Sequence, residues 1–323
     1  MPCIYSVRGT HHMKWKLAVL LISILALIAI NMNIEHFDPT PKKHILIIGT
    51  AKSGTTAVYK SVKDAMGEKL TSYFEPSESN FKAALRSRAK QILVKITLID
   101  RSQYKNLYED IHQFDKKIMV IRDPRDILIS NLLYTVRWMR FSKDPVRLQT
   151  FITALKEKET NPRSHSLLAL YQLRDRLESE VMQSWESPRS WHDEYNDYAI
   201  AVRMIQKTPE LYILRYEDYV DGELDALSDY LGLSITGDAD VSTLKEQHSI
   251  KKSVRNIARS KTYGNWKNWF TAEDVDAFRP LFQPLMDQAG YSDDWALSPN
   301  PTIDAEKSSA YVTRIVSETA ITW

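Results

Sequence analysis

Short apolar runs punctuate the chain, separated by longer stretches whose apolar residues recur every three or four positions. The runs fall at Ile45–Ile48, Ile92–Leu98 (ILVKITL), Ile118–Ile121 and Leu211–Leu214. A fifth, Thr71–Pro76, stops at its proline. Helical spacing occupies Asn80–Lys90, Asp126–Met139 and Leu224–Leu231, the last closed by Gly232. Strands alternating with helices predict parallel βαβ units, hence an α/β protein with a central, mostly parallel sheet flanked by helices. Ligands of such sheets sit beyond the carboxyl ends of the strands. From Arg140 to Glu210 the pattern is helical and charged, with a flexible stretch expected around Glu157–Ser166.

One run differs in length and flanks. Leu17–Ile30 (LAVLLISILALIAI) is an apolar run with no charged residue and Ser23 as its one polar position, and it follows Arg8, Lys14 and Lys16. Its helical length, about 21 Å, is short of a hydrocarbon core of about 30 Å, but Trp15 and Met32 extend it and Lys16 can snorkel. No small-x-small cleavage site follows, so an uncleaved signal anchor is expected rather than a signal peptide or a core helix. The organisation expected is an N-terminal tail (1–16), a transmembrane anchor (17–32), a polar linker (33–43), a folded domain (44–296) and a loose C-terminal tail (297–323). Basic residues before the span predict a single-pass protein with a cytoplasmic N-terminus. In a eukaryote that places the domain in the Golgi lumen. The lone Cys3, which rules out an internal disulfide, and the absence of an N-x-[ST] sequon fit a bacterial inner membrane instead. Both placements stand at this stage.

Composition narrows the chemistry. A formal net charge of +2 provides no global field for nucleic acid, so any anion site is local. One cysteine and eight scattered histidines give no zinc-type ligand spacing, and no metal is expected.

Two loops carry the chemistry. The first, Gly49-Thr50-Ala51-Lys52-Ser53-Gly54-Thr55-Thr56, leads from an apolar strand into a helix, where free N–H groups and the helix dipole favour an anion. The spacing of Gly49 and Gly54 matches the consensus phosphate loop, but Thr55 stands where its lysine belongs and Lys52 is the only lysine. That displacement argues against an ordinary ATPase or GTPase. A glycine-rich turn without a ligand predicts the same pattern. The second, Arg122-Asp123-Pro124-Arg125-Asp126, closes a strand 70 residues after Lys52. Asp126 is expected as the N-cap of the next helix, with Ser130 one turn in. A guanidinium and a hydroxyl suit a phosphate dianion; a salt-bridged turn is the plainer alternative.

Together these loops resemble those of the sulfotransferases that use 3′-phosphoadenosine-5′-phosphosulfate (PAPS), over about Ile45–Tyr291. The resemblance implies a P-loop-type three-layer fold. It assigns Thr50–Thr56 to the 5′-phosphosulfate and Arg122 and Ser130 to the 3′-phosphate. Arg215-Tyr216-Glu217-Asp218 is similar to a family element that puts Tyr216 near the adenine, as Val241–Lys245 does for Ser242 and Thr243. Arg259-Ser260-Lys261-Thr262-Tyr263-Gly264-Asn265-Trp266-Lys267 resembles the closing loop, implying nucleotide contacts from Arg259, Lys261 and Gly264, although Ser260-Lys261 replaces the family's Lys-Gly. Transfer to a hydroxyl would leave adenosine 3′,5′-bisphosphate. In such an in-line displacement a cation at the bridging oxygen stabilises the transition state, and Lys52 is the candidate. Lys95 resembles a second family lysine aimed at the sulfonate. The cytosolic members' histidine two residues later is Thr97 here, so Glu75, in Phe74-Glu75-Pro76, is the candidate general base. A carbohydrate acceptor is expected, with lipid or tyrosyl peptide as others. A nucleotide kinase and a non-catalytic nucleotide-binding protein are the rival readings. Trp185 and Trp191 are read as loop packing ahead of acceptor contacts.

Overall fold

The computed structural model describes residues 43–98, 106–182, 190–244 and 259–320. The apolar run at 17–32, and with it the expected anchor and tail, lies outside them, as do Trp185 and Lys245. No helix among the described residues is long and apolar enough to cross a membrane.

Five strands, β1 (Lys43–Gly49), β2 (Thr71–Phe74), β3 (Gln91–Thr97), β4 (Lys116–Ile121) and β5 (Tyr212–Arg215), form one sheet in the order β2-β3-β1-β4-β5. Every pairing is parallel. Parallel strands covered on both faces need apolar residues on both, and β1 shows it. Ile45 and Ile47 face a core with Val58, Tyr59, Leu93 and Val120, while Leu46 and Ile48 face one with Phe81, Val94, Met119 and Met204. Helix α1 (Thr55–Met66) covers the first face. Helices α2 (Glu78–Arg86, capped by Ser77) and α6 (Trp191–Lys207) cover the other.

Between β4 and β5 runs a helical half: α3 (Pro124–Thr135), α4 (Pro145–Thr160), α5 (Leu167–Ser179) and α6. After β5 come α7 (Tyr216–Asp221), α8 (Asp225–Leu231), α9 (Ala272–Gln288) and α10 (Ser309–Ala320). A third core, with Leu132, Phe151, Leu170, Trp266, Phe278 and Phe282, ties the helical half together.

Three expectations change here. The N-cap of α3 is Asp123, whose carboxylate accepts from the Arg125 N–H with Pro124 at the first helical position; Asp126 lies inside the helix, fully buried. The stretch 157–166 is held in place: Lys158 donates to the carbonyls of Pro162 (2.9 Å) and His165 (2.5 Å), and Arg163 to that of Ser298 (2.9 Å). The C-terminal stretch is not a loose tail, because Tyr311, Val312 and Ile315 of α10 are buried in the helical core. Its overall polarity masks a stripe at i, i+1 and i+4, which is enough to dock a helix. The compact unit accordingly runs from Lys43 through α10.

Candidate active site

Parallel pairing puts the chemistry-bearing residues on one edge. Gly49, ending β1, is level with Thr97 on one side and Val120 on the other; Phe74 is level with Lys95, and Ile121 with Arg215. The residues that follow, Thr50–Thr56, Glu75, Arg122 and Tyr216, therefore all emerge at the carboxyl end of the sheet.

The first loop is built by close approach. A Cβ at Gly49 would lie 2.5 Å from the Val120 carbonyl oxygen, and one at Gly54 would lie 2.2 Å from the Tyr216 ring. Gly54 also has φ +94°, which glycine adopts without strain. Ser53 Oγ donates to the Thr50 carbonyl at 2.8 Å, closing the turn. Lys52 takes φ +64° and Glu75 φ +45°, a conformation non-glycine residues hold only where their surroundings impose it. Arg122 does so for the loop: its Nη1 donates to the Lys52 carbonyl at 3.1 Å and its Nη2 to the Thr262 carbonyl at 3.1 Å.

A cleft opens above this edge. Ala51, Lys52, Gly54, Thr55, Thr56 and Ala57 line it from the first loop and the start of α1, and Arg122, Ser130, Tyr134 and Tyr216 from the segments that follow β4 and β5. Glu75, Lys95 and Thr97 line it from β2 and β3, and Ala239, Val241, Arg259, Ser260 and Lys261 from the later loops. Five expected contacts do not reach it directly. Thr50 and Ser53 are buried in the turn, and Gly264 donates its N–H to Asp126 Oδ2 at 2.5 Å. Ser242 and Thr243 turn their hydroxyls back to the Asp240 carboxylate and carbonyl, each at 2.7 Å, so Ala239 and Val241 form the wall there. Residues that line it and were not anticipated as contacts are Ala57, Tyr134, Ala239, Val241 and Ser260, with Thr97 expected only as a lost histidine. Tyr134 was findable, since it stands four positions after Ser130 and so on the same helix face.

The cleft is electropositive and under-neutralised. Among the described residues, Arg122 and Arg259 each keep a buried Nε without a hydrogen-bond partner. Burial, and next the Arg122 charge, push the Arg259 guanidinium below its ordinary range. Asp126, whose carboxylate feels both charges, is pushed up by burial against the pull of Arg122, and its oxygens accept from the N–H groups of Gly264 and Trp266. Two guanidinium groups lining one cleft with open donors are what a phosphate dianion satisfies. The Tyr216 ring lies 4.5 Å from the Arg122 guanidinium and packs on the Gly54 turn. Tyr216's hydroxyl is raised by burial.

At the other end Lys52 Nζ sits 3.7 Å from the Tyr134 ring centroid. Lys95 is ion-paired with Glu75 and donates to Thr97 Oγ1 at 2.8 Å, while Thr97 donates to Glu75 Oε1 at 2.9 Å. A carboxylate, an ammonium and a hydroxyl thus meet in the cleft that Lys52 also lines. Glu217 has a structural post: it accepts from the Asp123 N–H and the Tyr291 hydroxyl, each at 3.0 Å, and burial raises its carboxyl. Trp191 packs edge-on against Phe278 and belongs to the core.

A family model described as a sulfotransferase domain matches residues 42–290. Among solved structures, the chain is similar to the crystal structure of mouse sulfotransferase SULT7A1 complexed with PAP. The identity is 17% and the TM-score 0.48, over 78% of this chain and 89% of that one. No curated protein sequence matches at a significant level.

Proposed function

The chain belongs to the sulfotransferase domain family, and from that premise we propose that it moves a sulfuryl group from PAPS to a carbohydrate hydroxyl by in-line displacement. One observation carries the reading. The side chain of Arg122 holds the backbone of Lys52, so the two anion cradles predicted from separate loops border one cleft. The residues fit the donor. The N–H groups opening α1 and the Lys52 ammonium suit a phosphosulfate, and the unsatisfied donors of Arg122 and Arg259, with Ser130, suit a second phosphate.

In the reaction the acceptor oxygen bonds to sulfur as the bond from sulfur to the 5′-phosphate oxygen breaks. The acceptor proton passes to the Glu75 carboxylate, and adenosine 3′,5′-bisphosphate (PAP) leaves with the bridging electron pair. Lys52 meets the charge that grows on the bridging oxygen, an interaction stronger in the transition state than in the ground state. Lys95 holds Glu75 in place and faces the sulfonate. A carboxylate fixed by an ammonium and a hydroxyl replaces the histidine base of the cytosolic family members. The anchor at 17–32 is part of the same reading, supported by the charge-free apolar run Leu17–Ile30; release of the full chain from membranes by alkaline carbonate would remove it.

The test is transfer from radiolabelled PAPS by the full chain to a panel of glycans, lipids and tyrosyl peptides. Labelled glycan supports the reading. Magnesium-dependent ATP turnover without transfer would establish the kinase alternative. Glu75→Gln is expected to lower kcat by ~10²–10⁴ while PAP affinity holds.

A further inference from the structure

Among the described residues, three guanidinium groups keep a buried Nε with no hydrogen-bond partner: Arg122, Arg259 and Arg137. The first two border the cleft and are accounted for by the nucleotide. Arg137 is not. It lies in the single turn Val136–Trp138 that continues α3, and its guanidinium stands 5.4 Å from the Tyr134 ring and 4.6 Å from the Trp138 ring. Aromatic faces orient a cation without neutralising it. No ion pair satisfies Arg137 among the described residues, whereas Arg125, Arg147, Arg174, Arg279 and Arg314 each have a carboxylate.

Its place gives the group a purpose. Tyr134 lines the cleft and carries Lys52 on its ring, so Lys52, Tyr134, Arg137 and Trp138 form a continuous row of contacts running from the transfer lysine outward. Trp138 is 47% exposed, which leaves part of its indole at the surface beside the Arg137 guanidinium, an amphipathic ring next to a cation. We propose that Arg137 and Trp138 form an acceptor subsite for an acidic carbohydrate. The indole stacks on the C–H face of a sugar ring, and the guanidinium takes the carboxylate of a uronic acid or an existing sulfate. A planar guanidinium matches either anion through paired hydrogen bonds. The inference rests on the sulfuryl-transfer reading and specifies the acceptor of that site.

The full chain with PAPS is assayed on a neutral oligosaccharide, an oligosaccharide bearing uronic acid, and an acidic tyrosyl peptide, with PAP affinity measured separately by calorimetry. The expected result is a kcat/KM about 10–100-fold higher for the uronic-acid probe than for the neutral one. Arg137→Ala collapses that ratio through KM, and Arg137→Lys restores part of it. PAP affinity stays unmoved in both. Should Arg137→Ala not fold, Arg137→Gln and Trp138→Ala read the same ratio. A native ratio near one, a ratio indifferent to these variants, or preference for the peptide would overturn the subsite while leaving sulfuryl transfer standing. Failure of the native chain to bind PAP would overturn the transfer reading and the subsite with it.

Discussion

Arg122 and Arg125 stand three positions apart in one tight loop and end in opposite electrostatic situations. Arg125 is closed on every side. Its Nε donates to both Asp123 oxygens at 2.9 and 3.1 Å, its Nη2 donates to Asp123 Oδ2 at 2.6 Å, and its guanidinium lies 3.8 Å from the Trp266 ring. Among the described residues Arg122 bonds two carbonyls and lies against a tyrosine face, and its Nε has no hydrogen-bond partner. The same contrast separates the cations packed within α4 and α5 and the loop between them from those in the cleft and in the row leading out of it. Lys158, Arg163 and Arg174 are satisfied by carbonyls or a carboxylate within the protein. Arg122, Arg137 and Arg259 keep donors in reserve. A cation whose partners are internal is scaffold, and one whose donors stay open awaits a ligand, because an unsatisfied buried donor costs about 1–3 kcal/mol and persists only where something else fills it.

The contrast can be broken at its strongest point first. Arg125→Ala leaves the Asp123 carboxylate without its buried partner and should lower stability by about 3–5 kcal/mol in urea melts. Preserved stability would erase the distinction. Lys52→Ala should leave the melt intact and cut sulfuryl transfer by ~10²–10³, measured as kcat with saturating PAPS; undiminished transfer removes Lys52 from the mechanism. Arg122→Ala should weaken PAP binding about 10–100-fold by calorimetry, with a smaller loss of stability because only bonds to carbonyls go.

The last test reads pH rather than a contact and belongs to Lys158 in the helical half. Burial lowers its ammonium from 10.5 to about 8. Between those values the unfolded chain binds more protons than the folded one, so stability should rise with pH from about 8 to 10.5. Lys158→Met should flatten that rise in urea melts at the two ends of the window; an unchanged slope would mean the group titrates alike folded and unfolded.

How much was legible beforehand follows from how local each cause is. The strand-loop-helix of Gly49–Thr56 is written in its own residues, since glycine spacing and hydroxyls fix the turn. Strand ends at Glu75, Arg122 and Tyr216 were legible for the same reason. Asp126 was misplaced as a cap because its true partners, the N–H groups of Gly264 and Trp266, lie about 140 positions away. The C-terminal helix was missed because its stripe acquires meaning only against the helical core.

By itself, then, the sequence determined the βαβ frame, the anion-binding loop with its displaced lysine, and the order of the two cradles along the chain. These depend on dihedral preference and apolar period, which act within a few residues. Only the tertiary structure decided which cations are neutralised and which stay open, and that Glu75, Lys95 and Thr97 close into one hydrogen-bonded group. Charge satisfaction is a property of neighbours in space, and the residues that withhold or supply a partner to Arg122, Arg137 and Arg259 come from remote stretches of the chain.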